Sequence, residues 1–95
     1  MTSKQRAKLR SMANTIEPIL HIGKEGITPN LIKQAWDALE ARELVKVSVQ
    51  KGAPFNAREA ARALCEAVHA EPVQAIGGKF AIYRASREGP KIVLE

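Results

Sequence analysis

The chain has 95 residues, enough for one domain with a modest core and too few for a separate catalytic domain around a deep cleft. Fifteen Lys and Arg against ten Asp and Glu give a formal net charge of +5, which suits a polyanionic partner without distinguishing RNA, DNA and acidic membrane. A single cysteine, Cys65, excludes an internal disulfide framework, and no apolar run approaches the roughly 18 residues of a membrane span.

Residues 1–13 are basic but lack the apolar stretch of a secretory signal. A transit peptide fits their composition, yet Pro18 and the apolar run after it read as folded domain, so the expected location is the cytoplasm. Thr2 followed by Gln5 has the form of a capping box, and Leu9, Met12, Ala13 and Ile16 share one face at helical spacing. A first helix is therefore predicted over about 3–15, closed by Pro18. Ile19 to Ile22 is a short β-rich run that ends at a glycine-bracketed loop, Gly23-Lys24-Glu25-Gly26.

Thr28 and Pro29 then form an N-cap followed by proline at the first helical position, where its missing N–H costs nothing. Leu31, Ile32, Ala35, Trp36 and Leu39 make the apolar stripe of a second helix running to about Arg42, with Trp36 read as core. Leu44 to Val49 alternates as a half-buried strand, broken by Gly52 and Pro54. Asn56 with Glu59 caps a third helix whose apolar face is Ala57, Ala60, Ala61, Leu64 and Val68. Val73–Ile76 and Phe80–Arg84 flank Gly77-Gly78-Lys79 as a hairpin, and Lys91–Leu94 is a candidate edge strand.

The order helix, strand, helix, strand, helix, strand, strand predicts an α/β (α+β) two-layer sandwich: a small mixed four-stranded sheet with helices packed on it. One domain is expected over 1–95, with a core of about 2–85 and a tail from 86.

The glycine loop is the most informative segment. Glycine has no side chain to hold a ligand away, so backbone can lie directly against a phosphate chain, and the helix start that follows favours negative charge. A nucleic acid is the expected ligand. On the first helix, Lys4 and Lys8 flank the apolar stripe on one side and Arg6 and Arg10 on the other, with no acid before Glu17. If the loop lies nearby, these four cations extend a backbone-binding surface, against the alternative of an ordinary solvated face.

Five blocks together resemble the YhbY-like single CRM domains (chloroplast RNA splicing and ribosome maturation). They are Thr2–Arg10, Ile22–Ile27, Ala38–Val47, Gln74–Gly77 and Tyr83-Arg84. The resemblance implies a stand-alone RNA-binding module on precursors of the bacterial large ribosomal subunit. It also implies a fold similar to the C-terminal domain of translation initiation factor three, and a loop like that of KH domains carried here by Gly23, Lys24 and Gly26. Glu25 departs from the pattern, since an acid in a phosphate-facing loop must point outward or weaken the contact.

Lys79, Tyr83 and Arg84 complete the candidate RNA-binding set, Tyr83 and Arg84 as a stack and clamp on a nucleotide; the competing reading has Tyr83 finish the sheet surface. Only four aromatics are present, Trp36, Phe55, Phe80 and Tyr83, so the chain lacks an aromatic platform for base stacking, and backbone recognition fits better. Cys65 and His69 stand four apart on the third helix, but two ligands fall short of a zinc site, and His21 is the only other histidine. No converging carboxylate pair or nucleotide-hydrolase phosphate loop is present.

The expectation is a non-enzymatic, monomeric RNA-binding protein of ribosome assembly, with no cofactor, metal, membrane or small-molecule partner. Two rivals come from other classes: a protein–protein adaptor on the ribosome surface, and a basic double-stranded DNA-binding module using the first helix.

Overall fold

In the computed structural model, which describes residues 1–94, three helices and four strands alternate as α1 (Ser3–Ala13), β1 (Leu20–Ile22), α2 (Pro29–Arg42), β2 (Leu44–Val49), α3 (Ala57–Val68), β3 (Glu71–Ile76) and β4 (Lys79–Tyr83). The helix starts follow the capping chemistry of the sequence. Thr2 and Gln5 make the reciprocal bonds of a capping box, Asn56 and Glu59 make another, and the Thr28 hydroxyl accepts from the Leu31 N–H at 3.1 Å with Pro29 just inside. α1 stops at Ala13, two residues short of the expected end, where the Thr15 hydroxyl turns back onto the Met12 carbonyl.

The sheet is mixed, in the order β1-β2-β4-β3. β1 pairs with β2 in parallel across the α2 crossover, β2 pairs with β4 antiparallel, and β4 pairs with β3 as a hairpin. Ile22 stands opposite Val49 and Lys79 opposite Ser48, so the glycine loop and the hairpin tip emerge at one end of the sheet.

The predicted α/β class and mixed four-stranded sheet are present, but the helices occupy both faces of the sheet rather than one. Val45, Val47, Phe80 and Ile82 pack under α2 and α3, while Leu44, Ala81 and Tyr83 face the other way, against Leu9 and Ala13 of α1. A central strand pair that is apolar on both sides needs cover on both sides, which makes three layers. The signal lies in Phe80-Ala81-Ile82-Tyr83, whose run without alternation marks a strand buried on two faces.

The tail forms no strand over Lys91–Leu94. Instead Ile92 and Leu94 pack beside Met12 and Ile16, held by a buried carboxylate. Glu43 sits between α2 and β2 at φ 67°, fully buried, and its two oxygens accept from the N–H groups of Ser86 (2.6 Å), Lys91 (2.7 Å) and Ile92 (2.6 Å). Burial alone pushes this carboxyl's pKa up; the three donors and the Lys91 charge outweigh it and leave the pKa below the usual value.

Candidate nucleic-acid interface

The glycine loop is a tight turn. The Gly26 N–H donates to the Gly23 carbonyl at 3.0 Å, leaving Lys24 and Glu25 exposed at the corners. The two glycines answer to different needs. Gly26 has φ 72°, and a Cβ there would meet Pro54 Cγ at 3.2 Å and Phe55 Cζ at 3.4 Å. Gly23 lies outside the left-handed region, and a Cβ would meet only the Gln50 side-chain oxygen, at 3.6 Å. Gly26 is therefore required by the fold, and Gly23 leaves open space beside the backbone.

That space is part of an open groove of about 510 Å³ between the loop, the start of α2 and the turn after β2. His21, Lys24, Asn30, Gln34, Gln50 and Lys51 contribute to its walls, with Glu25 the one acid among the lining residues. α2 carries no acid in its first turn, so its N-terminal partial charge is uncompensated and faces this groove through Thr28, Asn30 and Leu31. Two exposed lysines, a helix start and a bare backbone corner suit a phosphate chain lying across the loop. Glu25 is exposed and lines the same groove, so its carboxylate offsets part of the lysine charge there.

Lys79 is exposed at the same end of the sheet, at the hairpin tip beside Gly78, whose carbonyl accepts from the Val49 N–H at 2.7 Å. Lys51, from the irregular turn after β2, is a member of the site that the sequence alone does not single out. Its position becomes meaningful only once β1 and β2 pair in parallel and bring their ends together.

Tyr83 and Arg84 do not join this surface; the structure places them at the other end of the sheet, as the competing reading of Tyr83 has it. Tyr83 pairs with Leu44, at the far end of β2 from Val49, five residues or roughly 17 Å away. It is 9% exposed against α1, and burial, followed by the Glu43 charge, pushes its hydroxyl pKa up. Arg84 is turned inward: it donates to Glu40 Oε2 at 2.7 Å and to the Val68 carbonyl at 2.7 Å, and its guanidinium carbon lies 4.0 Å from the Trp36 ring centroid. Trp36, expected in the core, is half-buried, with Arg87 as a second guanidinium over it at 4.7 Å and His69 at its edge. This clamp ties α2, the end of α3 and the tail together.

The basic helix is likewise not brought to the glycine loop. α1 lies on the opposite face of the sheet from α2, over β2, β3 and β4. Arg6 donates to the Pro72 carbonyl and Lys8 to the Val93 carbonyl, while Lys4 and Arg10 are exposed. Cys65 is buried in the α3 face, its thiol pKa pushed up to about 12 by burial and then by Glu71, and His69 closes α3 at φ 59°. Such a thiol is a packing residue rather than a nucleophile.

The CRS1/YhbY (CRM) domain model matches residues 1–84. The chain is 42% identical over 94 residues to the probable RNA-binding protein YqeI of Bacillus subtilis, covering 99% of this chain and 98% of YqeI. It is 37% identical over 93 residues to the probable RNA-binding protein MJ0652 of Methanocaldococcus jannaschii, covering 96% of this chain and 68% of that one. The solution structure of SAV1595 from Staphylococcus aureus superposes with a TM-score of 0.80 at 46% identity, covering 100% of this chain and 99% of that one.

Proposed function

Because the chain belongs to the CRS1/YhbY (CRM) domain family, we propose that it is an RNA-binding protein that attaches to ribosomal RNA of large-subunit precursors and acts in their assembly, without catalysis. The observation that carries the reading is the groove at the glycine loop, where Lys24, Lys51 and the uncompensated start of α2 surround a backbone corner without a side chain. Relatives named as RNA-binding proteins support the ligand class. The recognition is of phosphate backbone: the groove offers donors and charge, and its lining residues include no Phe, Tyr or Trp.

Gly23, Lys24, Gly26 and Lys51 form the centre of the site, with Lys79 at its margin; Lys4 and Arg10 of α1 are a separate, peripheral basic surface. No helix among the described residues is long and apolar enough to cross a membrane, and the protein works as a cytoplasmic monomer on this reading. Crosslinking the protein to RNA in cells and sequencing the attached fragments tests it. Enrichment of large-subunit rRNA is expected. Crosslinks spread over messenger RNA in proportion to abundance would overturn the ribosomal assignment, and association with ribosomal particles that survives ribonuclease would favour a protein adaptor instead.

A further inference from the structure

At the edge of the sheet away from β1, β3 pairs only with β4, so its outer backbone edge is open. Helices from both faces of the sheet reach this edge. α3 presents Arg58 and Arg62, one turn apart and both exposed, and α1 presents Arg6, which already donates to the Pro72 carbonyl. With Gln74 and Ala75 these three arginines line a groove of about 330 Å³ that has no acid among its lining residues. Among the described residues, neither Arg58 nor Arg62 is in an ion pair. Planar guanidinium forks beside free backbone donors match phosphate oxygens.

The groove is also connected to the glycine loop. A shallow depression lined by Lys51, Gly52, Asn56, Gly77 and Gly78 runs across the end of the sheet between them. It shares Lys51 with the first groove and stops two residues from Ala75 of the second. Its acid, Glu59, is engaged in capping the Asn56 N–H at 3.0 Å. We propose that Arg6, Arg58 and Arg62 form a second phosphate-binding groove at the β3 edge, which holds a further stretch of the same RNA strand that crosses the glycine loop. The proposal rests on RNA binding at that loop.

The test compares the parent with the double variant Arg58→Gln/Arg62→Gln, whose fold is checked by circular dichroism and thermal midpoint, against single-stranded RNAs of about four and about twelve nucleotides. The short RNA fits the glycine-loop groove alone and should bind both proteins equally. The long RNA should bind the variant several-fold more weakly, with a log–log salt slope shallower by about 1.4, roughly 0.7 for each phosphate that the variant no longer neutralises. Unchanged affinity and slope for the long RNA would overturn the second groove while leaving the first intact. Equal losses for both lengths would overturn it too, as a general charge effect. An oligoglutamate peptide whose binding needs these arginines while long RNA does not would make the groove a protein-docking site instead. A parent that binds neither RNA would overturn the glycine-loop reading, and the second groove with it.

Discussion

Gly23 and Gly26 bracket one turn, and a single methyl group separates their roles. Gly26→Ala forces a left-handed backbone on alanine and presses a Cβ toward Pro54 and Phe55, so it should cost about 1–3 kcal/mol, read from denaturant unfolding. Gly23→Ala should leave stability within about 0.5 kcal/mol of the parent and weaken RNA binding, because the added methyl projects where phosphate would pass. Wild-type RNA affinity in Gly23→Ala would make the loop a plain turn. Both glycines are visible in the sequence; their different backbone angles are not, because Pro54 and Phe55 reach Gly26 from about thirty residues away.

Glu43 makes the seating of the tail sensitive to pH. Its folded pKa is lowered, so its contribution is fully present above the unfolded carboxyl value near 4.3 and is lost as pH falls through the folded pKa. Amide exchange at Ile92, whose N–H Glu43 accepts, should therefore lose protection on acidification after correction for the intrinsic rate. Glu43→Gln should lack that extra pH dependence. The same acid-sensitive loss in the Gln variant would assign the effect to another group. Nothing in the sequence marks Glu43 for burial, since an acid at a helix end ordinarily faces water.

Helix starts are the most legible elements because capping is local chemistry: Thr2 with Gln5, Thr28 with Pro29, and Asn56 with Glu59 each act within three residues. Asn56→Ala removes one such cap and should lower stability by about 1 kcal/mol in urea unfolding; no change would mean that water replaces the cap without cost. Docking is less legible. Leu9, Met12, Ala13 and Ile16 do pack on one cluster, although Ile16 lies past the end of α1, but periodicity does not say which face of the sheet they meet. Long-range pairing decides that, by leaving Leu44, Ala81 and Tyr83 bare on the side away from α2 and α3. The charges of α1 are redirected accordingly, with Arg6 going to the β3 edge and Lys8 to the tail. Lys4→Gln/Arg10→Gln should thus leave binding of a short single-stranded RNA unchanged, and a loss equal to that of Lys24→Gln would return α1 to the main site.

At the scale of the whole molecule, the sheet has two chemically distinct ends. One collects Lys24, Lys51 and Lys79 around backbone that glycines leave uncovered. The other is closed by Glu40, Glu43, Arg84 and Trp36, which fasten the tail to the domain. The sequence motif Tyr83-Arg84 reads as part of the RNA surface because aromatic and guanidinium groups serve stacking on bases and stacking on each other equally well. Only the strand register separates the two uses, by placing Tyr83 opposite Leu44 rather than beside the loop. Pro72 and Arg6 also blunt the open β3 edge against pairing with another copy.

On the proposed function, RNA lies across the glycine loop and the start of α2. Backbone amide shifts of the labelled protein, followed during titration with a single-stranded RNA of about eight nucleotides, test it most directly. Saturable shifts should cluster at residues 21–31 and 50–52, fade with rising salt, and leave Glu40, Arg84 and the tail unmoved. Shifts confined to α1 or to the surface around Trp36, with the glycine loop silent, would contradict it.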